Sequence, residues 1–319
     1  MITRVVAVEY VHRMRGGSQS HLLRCSDGEY YVVKFQNNPQ GARTLVNEML
    51  GAALAARLDL PAPETAIVEV SDPLIQHSED CAIQLGRGRI ACSPGRCFGS
   101  RYPSEIGPYG NRVLMSAHGF LPDFPEREVM NAADFAGMLV FDKWTGNMDG
   151  RQVIFVPDAT TQNYRMIMID NGFCFNGSGW DFPYAPRCGL AGRPSAYRAV
   201  RGIDSFEHWL QILENTTGAH LLDQLADDIP PEWYGFNMSA LRHLLQEMER
   251  RRPSVRAALW TARSGSPQCF PNWTLHTRLR HRYSRQPVRL KARARGPMVQ
   301  INRATRPCAI PGEAKHSGA

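Results

Sequence analysis

The sequence predicts an α+β chain of two lobes: a small antiparallel β-sheet carrying one helix, then a mostly α-helical lobe. Three observations predict it. Residues 1–70 read β-β-β-α-β. Two short strand-like runs, 153–156 and 164–169, are flanked by polar turns that hold Asp149 and Asp170. From residue 204 onward the apolar residues recur mostly at helical spacing.

Each element has a local reason. RVVAVEYV (4–11), HLLRC (21–25) and EYYVVKF (29–35) are rich in β-branched and aromatic residues. The Gly/Ser loop RGGSQS (15–20) separates the first two, and Ser26-Asp27-Gly28 is a tight-turn signal before the third. In GARTLVNEMLGAALAARLDL (41–60), Leu45, Met49, Ala52, Ala53 and Ala56 repeat at helical spacing, and Pro61 and Pro63 end the run. ETAIVEV (64–70) is a further strand. Residues 72–112, rich in Gly, Pro and Ser, read as a connector. A helix is expected from 131, capped by Asn131 or Asp134 and carrying Phe135, Met138, Leu139 and Asp142. The turn FVPDATTQNY joins 153–156 to 164–169 as a hairpin. SFEHWLQILEN, AHLLDQLADDI, MSALRHLLQEMERRR and SVRAALWTAR follow as helices. The lobes are expected over 1–112 and 113–273, with a basic tail over 274–319.

Bulk properties narrow the class. At 319 residues with 43% hydrophobic content, the chain can bury a sizeable core as two domains or one bilobed domain. No run approaches the roughly 18 apolar residues of a membrane span, and the N-terminus lacks the apolar segment of a secretory signal. No membrane partner is expected. None of the eight cysteines forms a CxxC pair, so a zinc site is not indicated. Reduced thiols in a cytoplasmic protein are the expectation. The net charge of +7 is unevenly placed. Residues 274–319 carry eleven Lys/Arg and one Glu, a balance of +10; the preceding body, with 26 Lys/Arg and 29 Asp/Glu, stands at −3.

The chemistry-bearing residues fall in two groups. Lys34 ends an apolar strand, where a cation is costly unless it is paired or faces an anion. Glu48 follows in the next helix. A strand lysine paired with a helix glutamate is an arrangement that holds the α- and β-phosphates of ATP. Gly16, Gly17 and Ser18 join two strands, where backbone N–H groups can approach phosphate. The second group lies in FDKWTGNMDGRQVIF (141–155) and YRMIMIDNGFCF (164–175). Phosphoryl transfer needs one carboxylate for the acceptor hydroxyl and another for Mg²⁺, and Asp149 and Asp170 suit these two tasks. Asn147 or Gln152 offers a neutral oxygen to the metal. Arg151 is placed to neutralise a carboxylate or touch a phosphate.

Taken together, YYVVKF, LVNEML…LDLPAPE, CFGSRYP, FDKWTGNMDGRQVIF and MIDNGFCFNG resemble the bacterial HipA-like kinase domains over approximately residues 3–273. These are distant relatives of protein-kinase-like and phosphoinositide-kinase-like folds. The resemblance implies a bilobed protein-kinase-like fold that binds ATP with Mg²⁺ and phosphorylates a hydroxyl, with protein Ser/Thr as the acceptor class. Lys34 looks like the phosphate-binding lysine and Glu48 like its helix partner. Asp149 looks like the catalytic aspartate, with Arg151 beside it, and Asp170 like the metal-binding aspartate. Phe98, Gly99 and Ser100 look like a hinge-side or cleft-lining segment. The loop is shortened to Asp149-Gly150-Arg151-Gln152, and Gln152 stands where the family places a metal-binding Asn. Two alternatives stay open: nucleotide binding without transfer, in a pseudokinase that regulates a partner, and nucleic-acid binding through the basic tail.

Overall fold

The computed structural model describes residues 2–119, 121, 128–158, 160–161, 163–192, 194–216, 224 and 226–274. The basic tail and most of AHLLDQLADDI lie outside them. Five strands close into a barrel in the order β1 (Thr3–Arg13), β2 (His21–Cys25), β3 (Tyr30–Lys34), β7 (Gly95–Arg101), β4 (Thr65–Val70). All neighbours are antiparallel except β1 and β4, whose parallel pairing, Thr3 with Ala66 through Val6 with Glu69, closes the ring. The expected antiparallel sheet is thus a barrel with one parallel seam. Its core is built from inward residues such as Val5, Leu23, Val33, Val68 and Cys97.

The connector contains more order than its composition suggested. It holds β7, a short helix α2 (Asp72–Gln76) and two hairpins, β5 (Ala82–Leu85) with β6 (Gly88–Ala91), and β8 (Ser104–Ile106) with β9 (Arg112–Leu114). Ser71 caps α2 by accepting the Leu74 N–H.

Helix α1 (Arg43–Arg57) buries eleven residues, Thr44, Asn47 and Glu48 among them. Leu45, Met49 and Ala52 are buried as the spacing predicted, but Ala56 is exposed, and Val46, Leu50, Leu54 and Ala55 complete the buried surface. The helix therefore has more than one covered side. Leu45, Val46, Met49, Leu50 and Leu54 belong to the same apolar cluster as Phe135, Met138, Trp144, Met168 and Phe175. A helix that lies between barrel strands β3 and β4 in sequence is thus packed into the second lobe's core, and residues 1–275 cohere as one unit.

The second lobe is built on α3 (Asp134–Thr145), whose residues Phe135 to Thr145 are all buried. Ala133 occupies its N-cap position without a side-chain cap. Asn131 does not cap the helix; its Nδ2 donates instead to Asp134 Oδ2 at 3.0 Å and to Met166 O at 2.9 Å. The hairpin β10 (Gln152–Pro157) and β11 (Tyr164–Ile169), then α4 (Glu207–Thr216), α5 (Met238–Arg251) and α6 (Val255–Gly265), complete the lobe. In IPPEWYG, Pro231 opens a single tight helical turn, Pro231–Tyr234. This turn meets the barrel: Glu232 receives a two-pronged ion pair from Arg96, at 2.7 and 2.6 Å, and Trp233 Nε1 donates to Arg96 O at 2.9 Å. No described helix is long and apolar enough to cross a membrane.

Candidate active site

The register of one hairpin organises the site. Gln152 pairs with Ile169, and Ile154 with Ile167, so side chains two residues apart share a face. Phe155, Met166 and Met168 are buried in the lobe's core, whereas Gln152, Ile154 and Ile169 line a cavity of about 210 Å³. Asp170 follows directly on β11 and lines the same cavity. Its φ is +60°, a left-handed conformation that costs a non-glycine residue energy and turns the chain sharply after the strand.

The barrel supplies the opposite wall. Val32, Lys34, Phe98 and Ser100 from β3 and β7 line the cavity, as do Gly16, Gly17 and Ser18 from the loop between β1 and β2. Strand alternation separates the expected Phe98-Gly99-Ser100 segment: its outer two residues face the cavity, while a Cβ on Gly99 would meet Val68 Cγ2 at 2.5 Å.

Lys34 is the centre of the charge arrangement. Its Nζ donates to Glu48 Oε1 in a short bond and to Asp170 Oδ1 at 2.9 Å. Burial works against the ammonium, but the two carboxylates outweigh it and hold the Lys34 pKa above its ordinary value. Burial likewise opposes the charge on Asp170, and Lys34 more than offsets it, leaving that carboxyl below its usual range. Glu48, more deeply enclosed, is raised, chiefly by burial. One cation between two carboxylates leaves a net negative charge at the cavity wall. Both Glu48 oxygens are spent, on Lys34 and the Asn171 N–H, so Asp170, whose Oδ2 is not bonded to Lys34, is the carboxylate of this set that suits a divalent cation. Among the described residues no group of three or more His, Cys, Asp or Glu side chains is placed to hold one.

Asp149 sits at the exposed rim. Gln152 links it to the cavity, since Nε2 lies 3.4 Å from Asp149 Oδ2 and 3.2 Å from Asp170 Oδ2. Asp149 Oδ1 accepts the Gly150 N–H at 2.7 Å. The structure therefore gathers Gly16, Gly17, Ser18, Lys34, Glu48, Gln152 and Asp170 around one cleft, with Asp149 outside its lining and joined to it through Gln152.

Two expected site residues stand elsewhere. Arg151 does not reach the cavity or either of those carboxylates. Its side chain is fully buried in an ion pair with Asp142, and it donates to Ile169 O at 2.9 Å and Asn171 Oδ1 at 3.1 Å. Buried charge is held only where it is paired, and Asp142 is the partner. Asn147, expected as a metal ligand, spends its carboxamide on the loop: Nδ2 donates to Asp142 Oδ1 at 2.9 Å and Oδ1 accepts the Asp149 N–H at 3.1 Å. Both hold the Asp149 loop in place.

Asn47 and Gly51, which the sequence did not single out, join Glu48 in docking α1 onto the turn that follows Asp170. Asn47 Nδ2 donates to the carbonyls of Gly172, Cys174 and Gly177 at 2.8, 3.0 and 2.8 Å, and its Oδ1 accepts from Trp180 Nε1 at 2.8 Å. Glu48 Oε2 accepts the Asn171 N–H at 3.0 Å. Close approach of α1 requires glycine at 51, where a Cβ would stand 2.6 Å from Asn171 Cβ. The one available signal was Asn47 itself, an amide amid the apolar residues of the helix.

No curated protein matches the chain. Among solved structures, a proinflammatory kinase from Helicobacter pylori, CtkA, is similar at a TM-score of 0.51 with 13% identity, covering 82% of this chain and 99% of that one. The Golgi casein kinase gives a TM-score of 0.45 at 14% identity, covering 82% and 75%. The likeness to CtkA shows a protein-kinase-like fold. The family model for HipA-like kinases matches residues 7–176, which takes in every residue lining the cleft, and the chain belongs to the HipA-like kinase family.

Proposed function

We propose that this protein is a Mg²⁺- and ATP-dependent kinase that transfers the γ-phosphate to a hydroxyl, with protein Ser/Thr as the acceptor class. The observation that carries the reading is the placement of the Lys34 ammonium between Glu48 and Asp170, with Asp149 joined to Asp170 through Gln152. Val32, Ile154 and Ile169 supply the apolar surface for a base, and Gly16, Gly17 and Ser18 offer backbone donors to phosphate. Lys34 orients the α- and β-phosphates, and Glu48 keeps it in position. Asp170 and Gln152 would hold the metal ion, whose charge offsets that of the β- and γ-phosphates. Asp149, exposed at the rim, orients the acceptor hydroxyl and takes its proton. The acceptor class rests on the family.

A second reading, nucleotide binding without transfer, is favoured by one observation: the Gln152 amide contacts both Asp149 and Asp170. Radiolabelled γ-phosphate transfer to itself and to a cell-protein pool, measured beside Mg-ATP affinity, decides between them. Transfer should fall at least ~100-fold in Asp149→Ala with ATP binding retained. Asp170→Asn should remove the Mg²⁺ dependence of ATP binding. A wild type that binds Mg-ATP and phosphorylates nothing would leave the second reading standing. Nucleic-acid binding through the tail is a separate proposal, opposed by any affinity that survives deletion of 274–319.

A further inference from the structure

The phosphate-facing loop is tied to a part of the barrel lobe that lies outside the cleft. Gln19 has φ +50°, and its side chain points away from the loop toward β5. Its Nε2 donates to Gln84 O at 2.8 Å, and its Oε1 accepts the Gln84 N–H at 2.7 Å. Arg13 Nη2 donates to the same Oε1 at 2.6 Å. β5 pairs with β6 along one edge only. On the other edge the carboxamide of Gln19 presents one donor and one acceptor, as a neighbouring strand's peptide group would. The loop's own backbone contributes two further bonds, Met14 N–H to Ser20 O at 2.8 Å and Gln19 N–H to Gly16 O at 3.2 Å.

We infer that Gln19 is a positioning residue for ATP: by pairing with the backbone of Gln84 it fixes the Gly16–Ser18 turn over the cavity, and the β5–β6 hairpin thereby becomes part of the nucleotide site. The inference rests on the kinase reading above. A glycine-containing turn is free to adopt many conformations, and ordering it on binding costs free energy. A loop already held by its neighbour binds phosphate without that cost. Three side-chain hydrogen bonds, with the backbone bond from the Gln19 N–H to Gly16 O, hold Gln19 in this strained conformation.

The test uses the full chain. Gln19→Ala should weaken Mg-ATP binding about tenfold by titration calorimetry, the loss of one to two net hydrogen bonds. The KM for ATP should rise more than kcat falls. Gln19→Glu keeps the acceptor for Gln84 N–H and Arg13 but loses the donor, and should fall between the two. Gln84→Pro removes the N–H and should resemble Gln19→Ala. Leu85→Ser, exposed on the same hairpin and outside the contact, should bind as wild type. Amide exchange of residues 16–20 without nucleotide should quicken in Gln19→Ala. Wild-type binding of Mg-ATP with an unchanged affinity in Gln19→Ala and Gln84→Pro would overturn this inference and spare the kinase reading. Absence of Mg-ATP binding by the wild type would overturn both.

Discussion

Lys34 Nζ lies 2.9 Å from Asp170 Oδ1, and the same ammonium donates to Glu48. One strand residue thereby ties α1 to the end of β11. The side chains of Lys34 and Glu48 are only 8% and 4% exposed, so the pair is desolvated, and removal of either partner strands a buried charge.

Lys34→Met is expected to destabilise the fold by about 3 kcal/mol at pH 7 and to abolish stabilisation by Mg-ATP. The loss should shrink at pH 5, because burial already raises the Glu48 carboxyl and an unpartnered Glu48 takes up a proton more readily. Denaturant unfolding at both pH values measures this. An equal loss at each would show that Glu48 does not depend on Lys34 for its charge.

Arg151 acts on the Asp149 loop through Asp142. Arg151→Met leaves Asp142 uncompensated in a fully buried setting, and a loss of about 3–5 kcal/mol is expected. Asp142→Leu combined with Arg151→Met should cost less than the two single changes summed. A double-mutant cycle by chemical denaturation reads the coupling, and simple additivity would contradict the pairing.

Gly137 marks where α3 meets α4. A Cβ there would collide with Trp209 Nε1 and stand 2.7 Å from Leu60 Cδ2. Gly137→Ala should therefore cost about 1–3 kcal/mol by overpacking. Gly265→Ala, at the end of α6 with nothing within 4 Å, should be neutral or mildly stabilising. Thermal melts of the two variants give opposite directions if the packing is as described.

His21 ties stability to acidity. Burial first, then Arg13 and Arg89, lowers its pKa from 6.5 to about 4, with Asp80 opposing. Its Nδ1 has no partner among the described residues, and its ring meets Phe35 edge-on. The unfolded chain binds a proton below pH 6.5 that the folded chain refuses until about 4. The stability of the neutral form is complete above pH 6.5 and is lost as pH falls through that window. Relative to the wild type, His21→Phe should flatten the pH dependence between 4 and 6.5. Parallel curves would rule out His21 as the cause.

Much of the site was legible because it is written in local patterns. Lys34 ends one short apolar run, and Asp170 closes another directly before the turn signal Asn171-Gly172. β7 was not legible. Cys97, Phe98 and Gly99 are buried in succession, so although side chains alternate in direction along this barrel strand its burial does not alternate, and its Gly and Ser content reads as loop. The role of Arg151 was equally hidden. Its partner, Asp142, sits on the preceding helix among apolar residues, and spacing does not tell which of three nearby carboxylates a guanidinium will meet.

The order of the parts, two lobes with a basic end and the residue types phosphoryl transfer needs, was determined by the amino-acid sequence, since turns, strand alternation and charge distribution are properties of neighbouring residues. Only the tertiary structure decided that Lys34 and Asp170, 136 residues apart, share a hydrogen bond, that Arg151 and Asn147 brace the loop from behind, and that Gln19 fastens the glycine turn to a distant hairpin. The physical reason is that these contacts are set by how α1 docks. Gly51 allows the close approach, Asn47 satisfies three carbonyls of the facing turn, and a continuous apolar core holds the lobes in that relation.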